Sequence, residues 1–255
     1  MWVATTAVWI FLSALVERVR KVVTPIFSPG GIAENGSVGT KLFSRNIRVL
    51  YVNGVGNSLA KCHETTSSIS RIFNNSRINY TYIPLRYDQV IRTIMSNHRP
   101  GGCSLLIDHI RELLEELGRT ERNASLTRSE LPVCHHHPLG REGRLLIFAH
   151  SGGGAMVEAI REELTPEERS RIHVYSFGSA HLFSSAEGFE KVSNAVARGD
   201  PVPGICRRVD RRFKPLGEEW WIGTPAVLNI SNHSIINDVY QHAMWQIREK
   251  YLPAQ

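Results

Sequence analysis

Arg144-Leu145-Leu146-Ile147-Phe148-Ala149-His150-Ser151-Gly152-Gly153-Gly154-Ala155-Met156-Val157-Glu158 is the stretch from which the rest of the chain can be read. Leu145 to Phe148 form an unbroken apolar run, which reads as a buried parallel strand. Ser151 follows in a turn. Ala155, Met156, Val157, Ala159 and Ile160 then recur at spacings that suit an amphipathic helix. A strand, a tight turn and a helix with serine at the apex make a nucleophile elbow. Strand and helix backbones nearly touch there and the serine is held in a strained conformation, so small residues are needed two before and two after it. Ala149 and Gly153 meet that need. The helix N-terminus directs amide N–H groups and positive dipole at any oxyanion forming beside Ser151. The competing reading is a phosphate-binding or plain glycine turn. G-x-G-x-x-G is absent and no Gly-Lys-Ser/Thr follows, so neither nucleotide fingerprint applies.

The A-H-S-G-G of residues 149–153 resembles the A/G-x-S-x-G elbow of the α/β-hydrolases, and of lipases in particular. Other parts of the chain are consistent with that architecture. Its 255 residues suit one α/β domain with a large core, and 42% hydrophobic with 21% charged residues is ordinary for a folded protein. A net charge of +6 permits attraction to nucleic acid or anionic membrane. The densest basic group, Arg207, Arg208, Arg211, Arg212 and Lys214, has only Phe213 among it for stacking, so it reads as a solvated face and no nucleic-acid partner is expected. Cys62, Cys103, Cys134 and Cys206 form no C-x-x-C pair and are expected as free thiols. Cys134-His135-His136-His137 is a poor metal site, because consecutive side chains diverge and no second ligand cluster stands at ligand spacing. No metal or organic cofactor is expected.

Three regions are expected: a hydrophobic N-terminal helix over 1–23, a linker over 24–45 rich in glycine and proline, and an α/β domain over 46–255. Residues 2–16 are uncharged and mostly apolar, with Arg18, Arg20 and Lys21 directly after. They fit a short membrane anchor, an atypical export signal, or a helix packed on the domain. The basic flank favours membrane association over a soluble cytoplasmic protein.

Within the domain, Ile47 to Val52 reads as a strand that runs into Asn53-Gly54-Val55-Gly56-Asn57. N-G-V-G-N is similar to the H-G-x-G loop of small lipases, with asparagine where histidine is usual. That likeness implies that the backbone N–H groups of Val55 and Gly152 form the oxyanion hole, and the asparagine amide can pin the loop. The alternative is a plain glycine turn into a helix. Ser58 caps a helix to about Phe73, and Ile78 to Ile83 is the next strand, which predicts a mostly parallel sheet flanked by helices. Cys103 to Leu117 carries a helical apolar stripe that Gly118 is expected to stop, with Asp108 and His109 at its surface. Thr165-Pro166-Glu167-Glu168 starts another helix, and Ile172 to Phe177 is a strand.

Lys191 to Ala197 is a further strand, and it delivers Arg198-Gly199-Asp200-Pro201-Val202-Pro203 to the sheet edge that carries Ser151. G-D-P-V-P resembles the acid loop of class 3 lipases, which makes Asp200 the expected acid, with Asp210 and Asp238 in reserve. A surface turn is the alternative there. Glu218 to Ile230 is suited to a last hairpin or edge strand. His233 stands before a final helix to about Tyr251, whereas its competitor His242 lies inside that helix. Ser151, Asp200 and His233 then follow the chain order of the α/β-hydrolases. The His233-Ser234 segment, ending at Tyr240, resembles the histidine segment of lipase-like families. Taken together, the four motifs resemble an uncharacterised chlamydial hydrolase-like family. Two functions stay open: a serine hydrolase of carboxylic esters or lipids, and a non-catalytic membrane-associated protein that uses the same fold as a binding scaffold.

Overall fold

The computed structural model describes residues 31–96, 99–127, 143–184, 187–203, 218–222, 233–236 and 238–251. The apolar run at 145–148 is the centre of a sheet that helices cover on both faces. Its strands are β1 (Glu34–Val38), β2 (Ile47–Val52), β3 (Ile78–Tyr82), β4 (Arg144–His150), β5 (Ile172–Phe177), β6 (Lys191–Ala197) and β7 (Glu218–Ile222). Among the described residues these seven strands lie in the order β1-β3-β2-β4-β5-β6-β7. β1 pairs antiparallel with β3, and every other pairing is parallel. The protein is therefore an α/β fold with a mostly parallel sheet flanked by helices.

Alternation along β4 divides its side chains between two cores. Leu145, Ile147 and Ala149 face one core with α2 (Tyr87–Ser96), α3 (Cys103–Thr127) and α4 (Gly152–Ile160). Leu146 and Phe148 face the other, with α1 (Leu59–Ile72) and α6 (Asp238–Tyr251), while the short α5 (Pro166–Arg169) precedes β5. Phe148 sits among the rings of Phe73, Tyr175 and Phe177 at 5.5 to 5.9 Å. Burying a side chain of this size stabilises the fold by about 2–3 kcal/mol. After β2 the chain turns outward to β3, then returns to add β4 on β2's other side. The sheet thus reverses its winding between β2 and β4, and the loops leaving those two strands open a crevice at their C-terminal ends. Val52 pairs with Ala149 in register, so the N-G-V-G-N loop and the Ser151 turn leave the sheet side by side.

Four departures from the sequence reading have physical causes. Glu34–Val38, inside the expected linker, forms β1, because the outer edge of β3 offers a free ladder to which even a glycine-containing strand can pair. The ordered sheet therefore begins before residue 46. α3 passes through Gly118 to Thr127. A glycine inside a helix costs only about 1 kcal/mol relative to alanine; buried Leu113, Leu114 and Leu117 anchor the helix, and Glu121 one turn later accepts hydrogen bonds from Gly143 N and Arg171 Nη2. His109 is buried rather than at the surface, its Nδ1 2.9 Å from Thr81 Oγ1, while Asp108 is exposed. α2 falls where no element was expected, since its exposed Ile91 and Met95 blur the apolar period set by buried Val90 and Ile94.

Residues 1–30, with the expected hydrophobic helix, lie outside the described residues, as do Cys134 to His137, Cys206, the basic group from Arg207 to Lys214, and Asp210. Among the described residues no helix is long and apolar enough to cross a membrane. Cys62 and Cys103 are buried free thiols.

Candidate active site

Ser151 occupies the apex between β4 and α4 with φ 53° and ψ −122°, a conformation that side-chain-bearing residues rarely adopt. Its main chain is held on both sides. The N–H donates to Phe177 O at 3.1 Å, and the carbonyl accepts from Ala180 N at 2.9 Å and Gly154 N at 3.2 Å. Close approach of helix to strand explains the small residue two after it. A Cβ at Gly153 would stand 2.5 Å from Val52 O and 2.8 Å from Asn53 O.

The N-G-V-G-N loop is pinned by its first residue. Asn53 Nδ2 donates to Ile83 O at 2.8 Å and to Gly54 O at 2.9 Å, and Asn53 Oδ1 accepts from Ile83 N at 2.7 Å. A buried primary amide thereby extends the β2–β3 ladder by one peptide-like pair. The loop seats Val55 against the elbow: a Cβ at Gly152 would stand 2.5 Å from Val55 Cγ2 and 3.4 Å from its amide nitrogen.

β6 delivers Asp200 and the segment before α6 delivers His233. Asp200 is buried, and His233 Nδ1 lies 3.0 and 2.9 Å from its two carboxylate oxygens. Oδ1 also accepts from Val202 N at 2.9 Å, and Oδ2 from the Tyr240 hydroxyl at 2.6 Å. Because a carboxylate only accepts, Nδ1 carries the ring proton and Nε2 presents its lone pair. That Nε2 lies 2.8 Å from Ser151 Oγ. The structure therefore brings together Ser151, His233 and Asp200, with Val55 and Gly152 beside the serine. His242 is exposed and bonded to Gln246, and Asp238 is exposed at the start of α6, so neither joins the group.

Gly178, Tyr240 and His150 also shape the site, and the sequence reading assigned none of them a role there. Gly178 directly follows β5 with φ 53°, and a Cβ on it would stand 2.5 Å from Asp200 Oδ2, 2.7 Å from the Tyr240 hydroxyl and 3.1 Å from His233 Nδ1. Only the glycine after a strand was visible in advance. Tyr240 donates to Asp200 while accepting from Ala197 N at 3.2 Å, and its burial, followed by the Asp200 charge, holds the phenol protonated. Its signal was the tyrosine that closes the histidine segment. His150 directly precedes the serine.

Among the described residues, Glu158, His181 and Glu187 have ligand atoms within 4.8 Å of one another and are the group that could hold a cation. They already pair among themselves. His181 Nε2 is 3.2 Å from Glu187 Oε1 and 3.7 Å from Glu158 Oε2, and Arg161 Nε is 3.2 Å from the latter.

No family model and no curated protein matches the chain. Among solved structures it is similar to an esterase of Pyrobaculum calidifontis, at 11% identity over 94% of this chain and 92% of that one, with a TM-score of 0.48. A lipase-esterase related protein of Clostridium acetobutylicum shares 9% identity over 87% of this chain and 100% of that one, with a TM-score of 0.45. Dienelactone hydrolase of Anabaena variabilis shares 16% identity over 88% of this chain and 93% of that one, with a TM-score of 0.39.

Proposed function

We propose that the protein is a serine hydrolase of carboxylic esters with an α/β-hydrolase-type site. The observation that carries this reading is the continuous path from Ser151 Oγ through His233 Nε2, at 2.8 Å, to Nδ1 and the Asp200 carboxylate at 2.9 Å. Each link has the polarity that nucleophilic catalysis requires. Ser151 Oγ attacks the acyl carbon as His233 Nε2 takes its proton, and Asp200 stabilises the imidazolium that forms. The oxyanion of the tetrahedral intermediate accepts hydrogen bonds from the N–H groups of Val55 and Gly152. Collapse expels the alcohol, which receives the proton from His233. Water, deprotonated by His233, then attacks the acyl-serine and returns free Ser151 and the carboxylic acid.

This cycle calls on no metal and no organic cofactor. A lipid ester at a membrane surface engaged by residues 2–21 is the finer form of the proposal, supported by the sequence of that segment and the lipase-like motifs. The test is labelling by a fluorophosphonate probe, which reacts with serines activated in this way. Wild-type protein is expected to label and Ser151→Ala is not. A folded wild-type protein that does not label at Ser151 would return the chain to the scaffold reading.

A further inference from the structure

We propose that His150 is a positioning residue for the base: with its neighbour Ser151 it grips His233 by main chain and side chain together, and so sets the distance across which the proton moves. The catalytic consequence rests on the hydrolase reading above, whereas the grip is a matter of geometry.

Strand alternation sets the direction in which His150 points. His150 follows Leu146 and Phe148 on the β4 face that looks toward α6, so its ring projects to the side from which His233 approaches. Its Nε2 lies 2.8 Å from the backbone carbonyl oxygen of His233. A carbonyl oxygen only accepts, so Nε2 carries the proton and donates. The two imidazole rings are also in tilted contact, with centroids 4.9 Å apart and planes 33° apart. Two adjacent residues of the elbow thus hold one histidine, His150 at its carbonyl and Ser151 at its Nε2. A withdrawal of the His233 main chain from the elbow lengthens both contacts together.

The other side of His150 is closed by the N-G-V-G-N loop. A Cβ at Gly54 would stand 2.9 Å from His150 Nδ1 and 2.8 Å from Ser151 Cβ. The ring therefore fills the space between the loop that carries Val55 and the histidine that moves the proton. Its Nδ1 is buried and has no hydrogen-bond partner among the described residues, which suits a bare lone pair and would leave an N–H stranded. Burial first, and then the charge His233 would carry, push the His150 pKa down to about 3. The ring accordingly stays neutral through the working range, and no second positive charge opposes the imidazolium that forms on His233.

The experiment compares two replacements in the full chain. His150→Gln keeps an N–H donor and loses the ring, while His150→Phe keeps ring and volume and loses the donor. Three readouts are taken: Tm, the kcat and KM for p-nitrophenyl butyrate, and the imidazole ¹⁵N and Nδ1–H resonances of His233. In His150→Phe, kcat should fall about tenfold at unchanged KM, and the Nδ1–H resonance of His233 should shift or broaden. His150→Gln should recover most of both, even where its Tm is the lower of the two. A merely packed His150 predicts the opposite order, with activity following Tm and Phe outperforming Gln, and that result overturns the inference. So does a His233 resonance indifferent to His150→Phe in a protein whose Ser151 labels. If the resonances respond as expected but wild-type Ser151 does not label, the grip stands and the hydrolase reading fails.

Discussion

His233 and His181 both lie beside carboxylates, but they turn their nitrogens to different kinds of partner. His233 uses its nitrogens in opposite directions, Nδ1 toward Asp200 and Nε2 toward Ser151. His181 instead turns a single nitrogen toward both Glu187 and Glu158, at 3.2 and 3.7 Å. The first arrangement links unlike groups, an acid and a hydroxyl, as the proposed proton transfer requires; the second gathers carboxylates around one imidazole, with Arg161 also paired to Glu158. Support differs as well. Asp200 is fixed by Val202 N and the Tyr240 hydroxyl before His233 is counted, so the acid dictates the tautomer of the base. Glu158 sits in a half-buried ion cluster, where burial raises its carboxyl pKa and charge pairing with His181 and Arg161 opposes that rise. Direction and the strained serine separate the two groups.

Disabling the first cluster should have the largest effect. Asp200→Asn should leave the fold intact while kcat falls about 10⁴-fold, because the amide no longer enforces a proton on His233 Nδ1. Steady-state kinetics alongside circular dichroism measure this, and near wild-type turnover in the folded variant would remove Asp200 from the mechanism. Gly178→Ala should follow at about 10²-fold in kcat, since a methyl 2.5 Å from Asp200 Oδ2 must displace the acid, the tyrosine or the base. The positive φ at this glycine adds strain, so Tm should drop too, and an unchanged kcat would mean that the pair relaxes freely.

Acid should destabilise the fold through its buried histidines, one of which, His150, lies against the first cluster. Burial is the leading cause that lowers His150 to about 3, His173 to about 4, and His109 below its ordinary value. Unfolded, each histidine takes up a proton near pH 6.5. The unfolded chain then binds more protons, so the stabilising contribution is complete above pH 6.5 and is lost as pH falls toward the folded values. Between the folded and unfolded values the loss is about 1.4 kcal/mol per pH unit for His150 and for His173, and His109 acts in the same direction. Urea midpoints between about pH 7 and 5 should fall accordingly, and replacing His150 or His173 by glutamine should flatten the slope. The smallest effect belongs to the second cluster. Glu187→Gln should lower stability by about 1 kcal/mol, read from the urea midpoint, and leave kcat within about twofold. A large loss of kcat would show that the two clusters are coupled through α4 and the loop after β5.

What could be read from the chain alone was whatever depends on neighbours in sequence. The apolar run 145–148, the small residues around Ser151 and the capped helix at Ser58 each express a local period or a local steric demand. The pattern of alternating strands and helices predicted parallel pairing, and chain order together with motif likeness pointed to Asp200 and His233. Local pattern failed where tertiary context overrode it. Gly118 stays helical because buried leucines hold α3 straight through it, and Glu34–Val38 becomes a strand because β3 has an open edge. The site itself needed the fold. Ser151 and His233 are 82 positions apart and His233 and Asp200 are 33 apart, and no periodicity spans such gaps. Their 2.8 and 2.9 Å contacts follow from β4, β5 and β6 lying side by side and from α6 packing beneath them. The same stacking brings Gly178 against Asp200 and the His150 ring against His233, which are consequences of strand order that no local stretch of residues encodes.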